Sequence, residues 1–382
     1  MPQPPTTALA PYESEYEGYM GNYGNTIDRW YHRSAVVLWP ANQAFSNRAE
    51  ANPAWALDAI QRSIDTGDLA QARADAVSLQ RFWRQVDPAS IGSALCVAGG
   101  LADPTAASVV LAPYQLETVT GEDAEPLAAA VTAYGDAWWT ALLDQWDKAG
   151  YYGGQGRDDW CGTTLPQVCR ALIDHGSPTA ADILAGRMWQ QVWRQARAAL
   201  NSQHPGHRAA GLTKLGPALA SLVQCSPPEL GETIVAQLRD ADDTITPLLV
   251  AVLRASRLRA TSTVSAISQD CWERLVRQLA QPERADDWSI SWSGCGCADC
   301  QRFAGFLGSP TERTLDWPLA QRRRQHIHQL IDRAGLPVTH VTRRKGSPYV
   351  LVLTETDELF AREASDRHEA EAALMWVVSA FG

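Results

Sequence analysis

From about residue 53 to residue 280 the chain repeats one pattern. Apolar side chains recur three and four positions apart, and Pro, Gly or Ser-Pro breaks interrupt them. A 3.6-residue period places such side chains on one face of a helix, so this stretch is expected to fold as helix after helix. Ala54–Asp65 and Asp68–Val86 are two such segments, separated by Thr66-Gly67, and the second stops at Asp87-Pro88. Residues 125–148 carry Leu127, Val131, Tyr134, Trp138, Leu142 and Trp146 as one stripe on a long helix. Ser177-Pro178 starts a second long helix, with Ser as N-cap and Pro at the first helical position. Its inner face holds Leu184, Met188, Val192 and Trp193. Shorter helices follow at Leu212–Val223, Pro228–Arg239, Ile245–Arg254 and Cys271–Ala280. Several pairs have the roughly 35–45-residue span of a helical hairpin repeat, yet no signature recurs cleanly. The fold class expected is therefore mainly α, an irregular helical repeat or bundle.

The chain has 382 residues, 45% of them hydrophobic, and a formal net charge of −10. That size accommodates two or three domains or one extended array. The negative balance argues against nucleic-acid binding by the surface as a whole. The 15 tryptophans point to thick helix–helix interfaces. No apolar run approaches the roughly 20 residues that span a bilayer. The opening Met-Pro-Gln-Pro-Pro-Thr-Thr has neither a basic nor an apolar signal region, so no membrane association and a cytoplasmic location are expected. In that compartment Cys96, Cys161, Cys169, Cys225 and Cys271 read as small buried hydrophobes.

One glycine-rich stretch invites a functional reading. Residues 151–161 contain Gly153, Gly154 and Gly156, but position 159 is Asp where a phosphate-binding fingerprint has glycine, and no strand precedes them. A loop joining two helices is expected there. Cys161 and His175 have no orienting third group, which argues against a nucleophile–base pair. Residues 1–17 are expected to lack fixed structure. Residues 18–52 are expected to form a turn-rich loop and a short strand at Val36–Trp39, leading into a helical domain at 53–285.

Residues 286–382 differ in character. Cys295-Gly-Cys297-Ala-Asp-Cys300 puts three cysteines in six residues. A Cys-x2-Cys turn presents two sulfurs to one ion, and zinc takes tetrahedral Cys and His ligands. Cys295 adds a third sulfur. His326 or His328 supplies a fourth donor; the two lie about 200° apart on a helix, so one of them faces the cysteines. Structural zinc is the reading the spacing favours, with a cluster of reduced thiols or a redox dithiol as alternatives. Arg302, Arg313, Arg322, Arg323, Arg324, Arg333, Arg343, Arg344 and Lys345 make this a basic segment of an acidic chain. Together with the knuckle they admit a nucleic-acid contact; a solvated helix face with a charged hairpin tip is the reading favoured over it. Pro337–Arg343 and Pro348–Thr354 read as a β-hairpin with residues 344–347 as the turn, and Asp357–Phe381 reads as a closing helix. A small C-terminal α+β cap is thus expected.

Four segments carry a resemblance. Glu17–Pro40, Cys297–Leu307, Arg323–His328 and Gly346–Thr354 are similar, in order and spacing, to the C-terminal region of large 2OG-Fe(II) oxygenase-like (prolyl 4-hydroxylase-related) proteins. The resemblance implies the part that follows an oxygenase domain. An Fe(II) dioxygenase requires a His-x-Asp/Glu pair, and none of the 8 histidines is followed two positions later by Asp or Glu. The function expected is a non-catalytic protein-interaction or regulatory scaffold with a protein partner, a separately encoded oxygenase being one candidate. The alternatives are a nucleic-acid-binding module, or an oxygenase-family protein whose 2-oxoglutarate/Fe(II) site lies in unrecognised residues.

Overall fold

Helix starts in this chain are written in proline and Asx residues, and the computed structural model follows them. It describes residues 44–84, 86–149, 154–256 and 261–381. The expected tail at 1–17, the strand at Val36–Trp39 and the first resembling segment lie outside these. The protein is mainly α, with a small antiparallel sheet near the C-terminus. Among the described residues no helix is long and apolar enough to cross a membrane.

The residues group into two compact units. The first comprises the described residues through Thr118 together with Ala141–Ala149. It contains α1 (Ala44–Ala51), α2 (Pro53–Asp65), α3 (Leu69–Ser78), α4 (Ile91–Gly100) and α5 (Pro104–Leu111). α1 occupies a stretch expected to be loop. Asn52, Asp68 and Asp103 cap α2, α3 and α5 by accepting from backbone N–H groups of the first turn. α3 ends at Ser78 and a 3-10 turn follows, so the helix expected to reach Val86 is shorter. Ile60, Leu79, Leu95, Leu101 and Leu111 are fully buried. Trp83 and Trp146 bury their rings among them and donate their indole N–H to the carbonyls of Val110 and Leu111, at 2.8 and 3.0 Å. Tying off that N–H is what makes a buried tryptophan affordable.

Helix α6 (Ala124–Ala149) contributes to both units and is not the uninterrupted rod its stripe suggests. Gly135 sits at φ 82°, ψ 173°, a conformation open to glycine, and kinks it.

The second unit comprises Val119–Thr140 and the residues from 150 onward. Its helical part holds α7 (Gly154–Thr163), α8 (Leu165–Asp174), α9 (Pro178–Leu200), α10 (Pro205–Lys214), α11 (Gly216–Cys225), α12 (Pro228–Asp240), α13 (Thr246–Ala255) and α14 (Ser262–Leu279). α7 overturns the expected loop: the glycine-rich sequence folds as helix because Trp160 and Cys161 are 5% and 1% exposed. Trp160 also anchors its indole N–H on Val119 O at 2.7 Å, so packing outweighs glycine's low propensity. Arg274 of α14 is 3% exposed and closes the end of α12. It donates to the carbonyls of Leu238, Arg239, Ala241 and Asp242 and pairs with Asp270 at 3.0 Å. Of the scattered cysteines Cys161, Cys169 and Cys271 are buried as expected and Cys225 is half-buried, whereas Cys96 is exposed.

The same unit ends in α15 (Ala298–Leu307), β1 (Thr314–Pro318), α16 (Gln321–Ala334), β2 (Val338–Arg343), β3 (Val350–Glu355) and α17 (Glu358–Phe381). The expected hairpin is β2–β3. The sheet has a third strand, β1, in the order β1-β3-β2 with both pairings antiparallel. β1 escapes a sequence reading because it is short and ends in Pro318, tolerable only at an edge. Alternation in β3 turns Leu351, Leu353 and Glu355 inward. The two leucines join Phe303, Phe306, Trp317, Ile327 and Ile331 in one core. α17 packs on α14 and buries Ala370, Ala373 and Val377, and Arg367 donates to Leu279 O at the end of α14 and to Gln281 O just past it. The α+β cap is therefore continuous with the helices before it.

Candidate metal centre

The centre assembles where α15 begins and α16 passes. Gly296 holds φ at +79°, which lets the chain reverse between Cys295 and Cys297. A Cβ on Gly294 would come within 2.7 Å of Cys300 Sγ, so that position also requires glycine. Cys297 is the N-cap of α15 and its sulfur accepts from the Cys300 N–H at 3.5 Å. One turn into α15, Cys300 is buried.

His326 of α16 completes the group. Its Nε2 lies 3.6 Å from Cys295 Sγ, 3.6 Å from Cys297 Sγ and 3.4 Å from Cys300 Sγ. The sulfurs of Cys295 and Cys300 are 3.5 Å apart, and all four donor atoms fall within 4.8 Å of one another. Zinc bonds of about 2.3 Å to sulfur and about 2.05 Å to nitrogen place tetrahedral ligands about 3.5 Å (N to S) and about 3.8 Å (S to S) apart. The three nitrogen–sulfur distances match that geometry. A disulfide requires sulfurs at about 2.05 Å and gives a histidine no reason to converge on three of them. The donor set fits a Cys3His zinc ion.

Local electrostatics prepare the ligands. The Cys300 backbone N–H, with the neighbouring Cys295 side chain, pulls the Cys297 thiol down to about 6, favouring the thiolate that a metal requires. Burial pushes Cys300 the other way, to about 12, so that sulfur releases its proton only to a strong electrophile such as a metal. Asp299, between the two, is bound by both guanidinium arms of Arg323, with Nε to Oδ2 at 2.8 Å. Arg323 holds the Asp299 carboxyl below the usual carboxylate range. The pair fixes α15 against α16 one turn from His326. Gln301 adds a bond to Gly296 O at 3.2 Å.

His328, the other candidate ligand, is not part of this group. Two residues along α16 it points to β2, where its Nδ1 meets His340 Nδ1 and its Nε2 lies 3.3 Å from Thr342 Oγ1. The 200° rotation between the two histidines is the reason. The five expected ligands thus reduce to Cys295, Cys297, Cys300 and His326.

The basic residues are largely occupied. Arg302 and Arg313 stack over Trp317 and Trp288, at 4.9 and 3.7 Å from the ring centroids. Arg324 is buried and donates to Leu319 O, and Arg343 pairs with Asp316. With Arg323 on Asp299, the exposed remainder of the run is Arg322, Arg333, Arg344 and Lys345. Cys161 is no nucleophile: its thiol donates to Ala218 O at 3.6 Å, and burial pushes its pKa far up.

Cys297–Leu307, Arg323–His328 and Gly346–Thr354 cover α15, the first half of α16 and the second arm of the hairpin, and they fold into the one cap. No protein-family model, curated protein or solved structure matches the chain.

Proposed function

We propose that this chain is a non-catalytic interaction or regulatory scaffold whose C-terminal cap is closed by a structural zinc ion. The observation that carries the reading is the closed donor set: three sulfurs and one imidazole nitrogen converge on one point. Four protein ligands satisfy zinc and leave no position for substrate, whereas catalytic zinc keeps one open. The ion would link the start of α15 to the middle of α16 and so hold the cap together. A second feature supports a protein partner. Trp272 and Val276 of α14 and Met375 and Val378 of α17 are 40, 37, 70 and 51% exposed on two helices that pack together. Large apolar side chains left in water on neighbouring helices favour a protein surface as their cover. The partner class suggested by the resemblance is a separately encoded oxygenase.

Elemental analysis tests the reading. The purified chain should carry one zinc, and the Cys297→Ser/Cys300→Ser variant none. Chelation should lower the thermal midpoint of the wild type and leave the variant unmoved. A wild type without stoichiometric zinc refutes the metal assignment. Turnover of 2-oxoglutarate by the purified chain with added Fe(II) refutes the non-catalytic assignment.

A further inference from the structure

His328 and His340 form a second polar cluster at the rim of the α16–sheet interface. Residues 328 and 332 are one turn apart on α16, and residues 340 and 342 are alternate positions of β2 that share the face turned to that helix. The rings lie 4.7 Å apart, centroid to centroid, with their Nδ1 atoms in contact. Each outer nitrogen meets an oxygen: His340 Nε2 lies 3.1 Å from Asp332 Oδ1, and His328 Nε2 lies 3.3 Å from Thr342 Oγ1.

That arrangement has a consequence for the tautomers. A carboxylate can only accept, so Asp332 holds the His340 proton on Nε2 and leaves its Nδ1 lone pair bare. Thr342 Oγ1 can accept from His328 Nε2 in the same way. With Thr342 accepting, both rings aim a lone pair at the same point; with Thr342 donating instead, His328 Nδ1–H donates to His340 Nδ1, and an ion entering between the rings displaces that proton. A carboxylate–histidine contact of this kind is the outer shell that orients metal-binding histidines and raises their basicity. Neutral imidazole is a good ligand for zinc, nickel and copper ions.

We propose that His328 and His340 bind a borderline divalent transition-metal ion through their two Nδ1 atoms, with Asp332 and Thr342 as positioning residues. The site is separate from the cysteine centre and does not depend on it. Two nitrogens on a tetrahedral ion stand about 3.3 Å apart, so the ion parts the rings. With two protein ligands and a partly exposed position, the remaining coordination is left to water or to a donor from a partner. The ion would brace α16 against β2 opposite the side where the cysteine centre braces it against α15.

Nickel titration of the full chain, as purified, tests this by calorimetry with zinc content measured in parallel. The wild type should bind one nickel at micromolar concentration without releasing zinc. His340→Ala should abolish that equivalent. Asp332→Asn, at a side chain 69% exposed and so without consequence for folding, should weaken it about 10- to 100-fold. His207→Ala serves as control, because His204 and His207 stack at 4.1 Å and offer the other close histidine pair among the described residues. Absence of nickel binding by the wild type overturns the proposal. So does equal binding by the wild type and His340→Ala, or loss of the equivalent in His207→Ala instead.

Discussion

Replacing Glu355 by glutamine should make this protein more stable in mild alkali, with a benefit that shrinks as the pH falls toward 4.5. Glu355 closes the inward row of β3, after Leu351 and Leu353, and is 1% exposed. Neither carboxylate oxygen has a hydrogen-bond partner among the described residues. Burial raises its pKa from 4.5 to about 7, with Glu312 adding to the rise and the guanidiniums of Arg313 and Arg284 opposing it. A carboxyl whose pKa is higher folded than unfolded favours the folded state while protonated. That contribution is complete below about 4.5 and is lost as pH climbs through about 7. The full interval, at about 1.4 kcal/mol per unit, sets a ceiling of about 3.5 kcal/mol. Solvent screening near the edge of the small sheet brings the expected effect to about 1–2 kcal/mol. Glutamine is neutral at every pH and stands in for the protonated acid. Urea denaturation of zinc-loaded wild type and Glu355→Gln, followed by tryptophan fluorescence at pH 5.5, 7 and 8.5, measures the difference. With a slope of about 1–3 kcal/mol per molar urea, the variant's midpoint should exceed the wild type's by several tenths of a molar or more at pH 8.5 and by about half that margin or less at pH 5.5. Comparing the two proteins at each pH cancels the acid sensitivity of the zinc thiolates. A constant offset across the range would refute the assignment of a buried, proton-dependent carboxyl.

Two further substitutions test how the helical array and the knuckle are held. Arg274→Leu removes the donor that serves four carbonyls in the last turn of α12 and just past it and leaves Asp270 buried and unpaired, at about 9% exposed. It should cost about 3–5 kcal/mol in chemical denaturation; a loss below about 1 kcal/mol would show that the carbonyls find water instead. Gly296→Ala places a Cβ at φ +79° and should cost about 1–2 kcal/mol of backbone strain. Since that strain opposes the closed knuckle, zinc affinity measured by chelator competition should fall roughly tenfold; unchanged affinity would mean that the turn does not shape the site.

Much of the architecture was legible because its signals are local. Pro178 and Pro228 each begin a helix where the sequence placed one, whereas α4 and α5, the latter started by Pro104 behind an Asp103 cap, were not read from it. The Cys-x2-Cys spacing, the flanking glycines and the basic helix that follows marked the metal centre, since all are properties of neighbouring residues. Local signals also misled, as the glycine-rich run that became α7 and the stripe broken at Gly135 illustrate. Propensity is a matter of tenths of a kcal/mol per residue, and burying a side chain such as Trp160 outweighs it.

What only the tertiary structure decided are relations between residues distant in the chain. Periodicity showed that one of His326 and His328 must turn away from the cysteines; the packing of α16 between α15 and β2 decided which. It left His326 with three sulfurs and gave His328 to His340, a pairing 12 residues apart that no spacing rule announces. Glu355 is equally silent in sequence, a strand-end glutamate until β1 and β2 flank β3 and turn it toward the core. Helix starts are set by backbone groups within one turn of the side chain that satisfies them. The facing of a ligand and the burial of a charge are set by which surfaces meet, and that depends on the whole chain's packing.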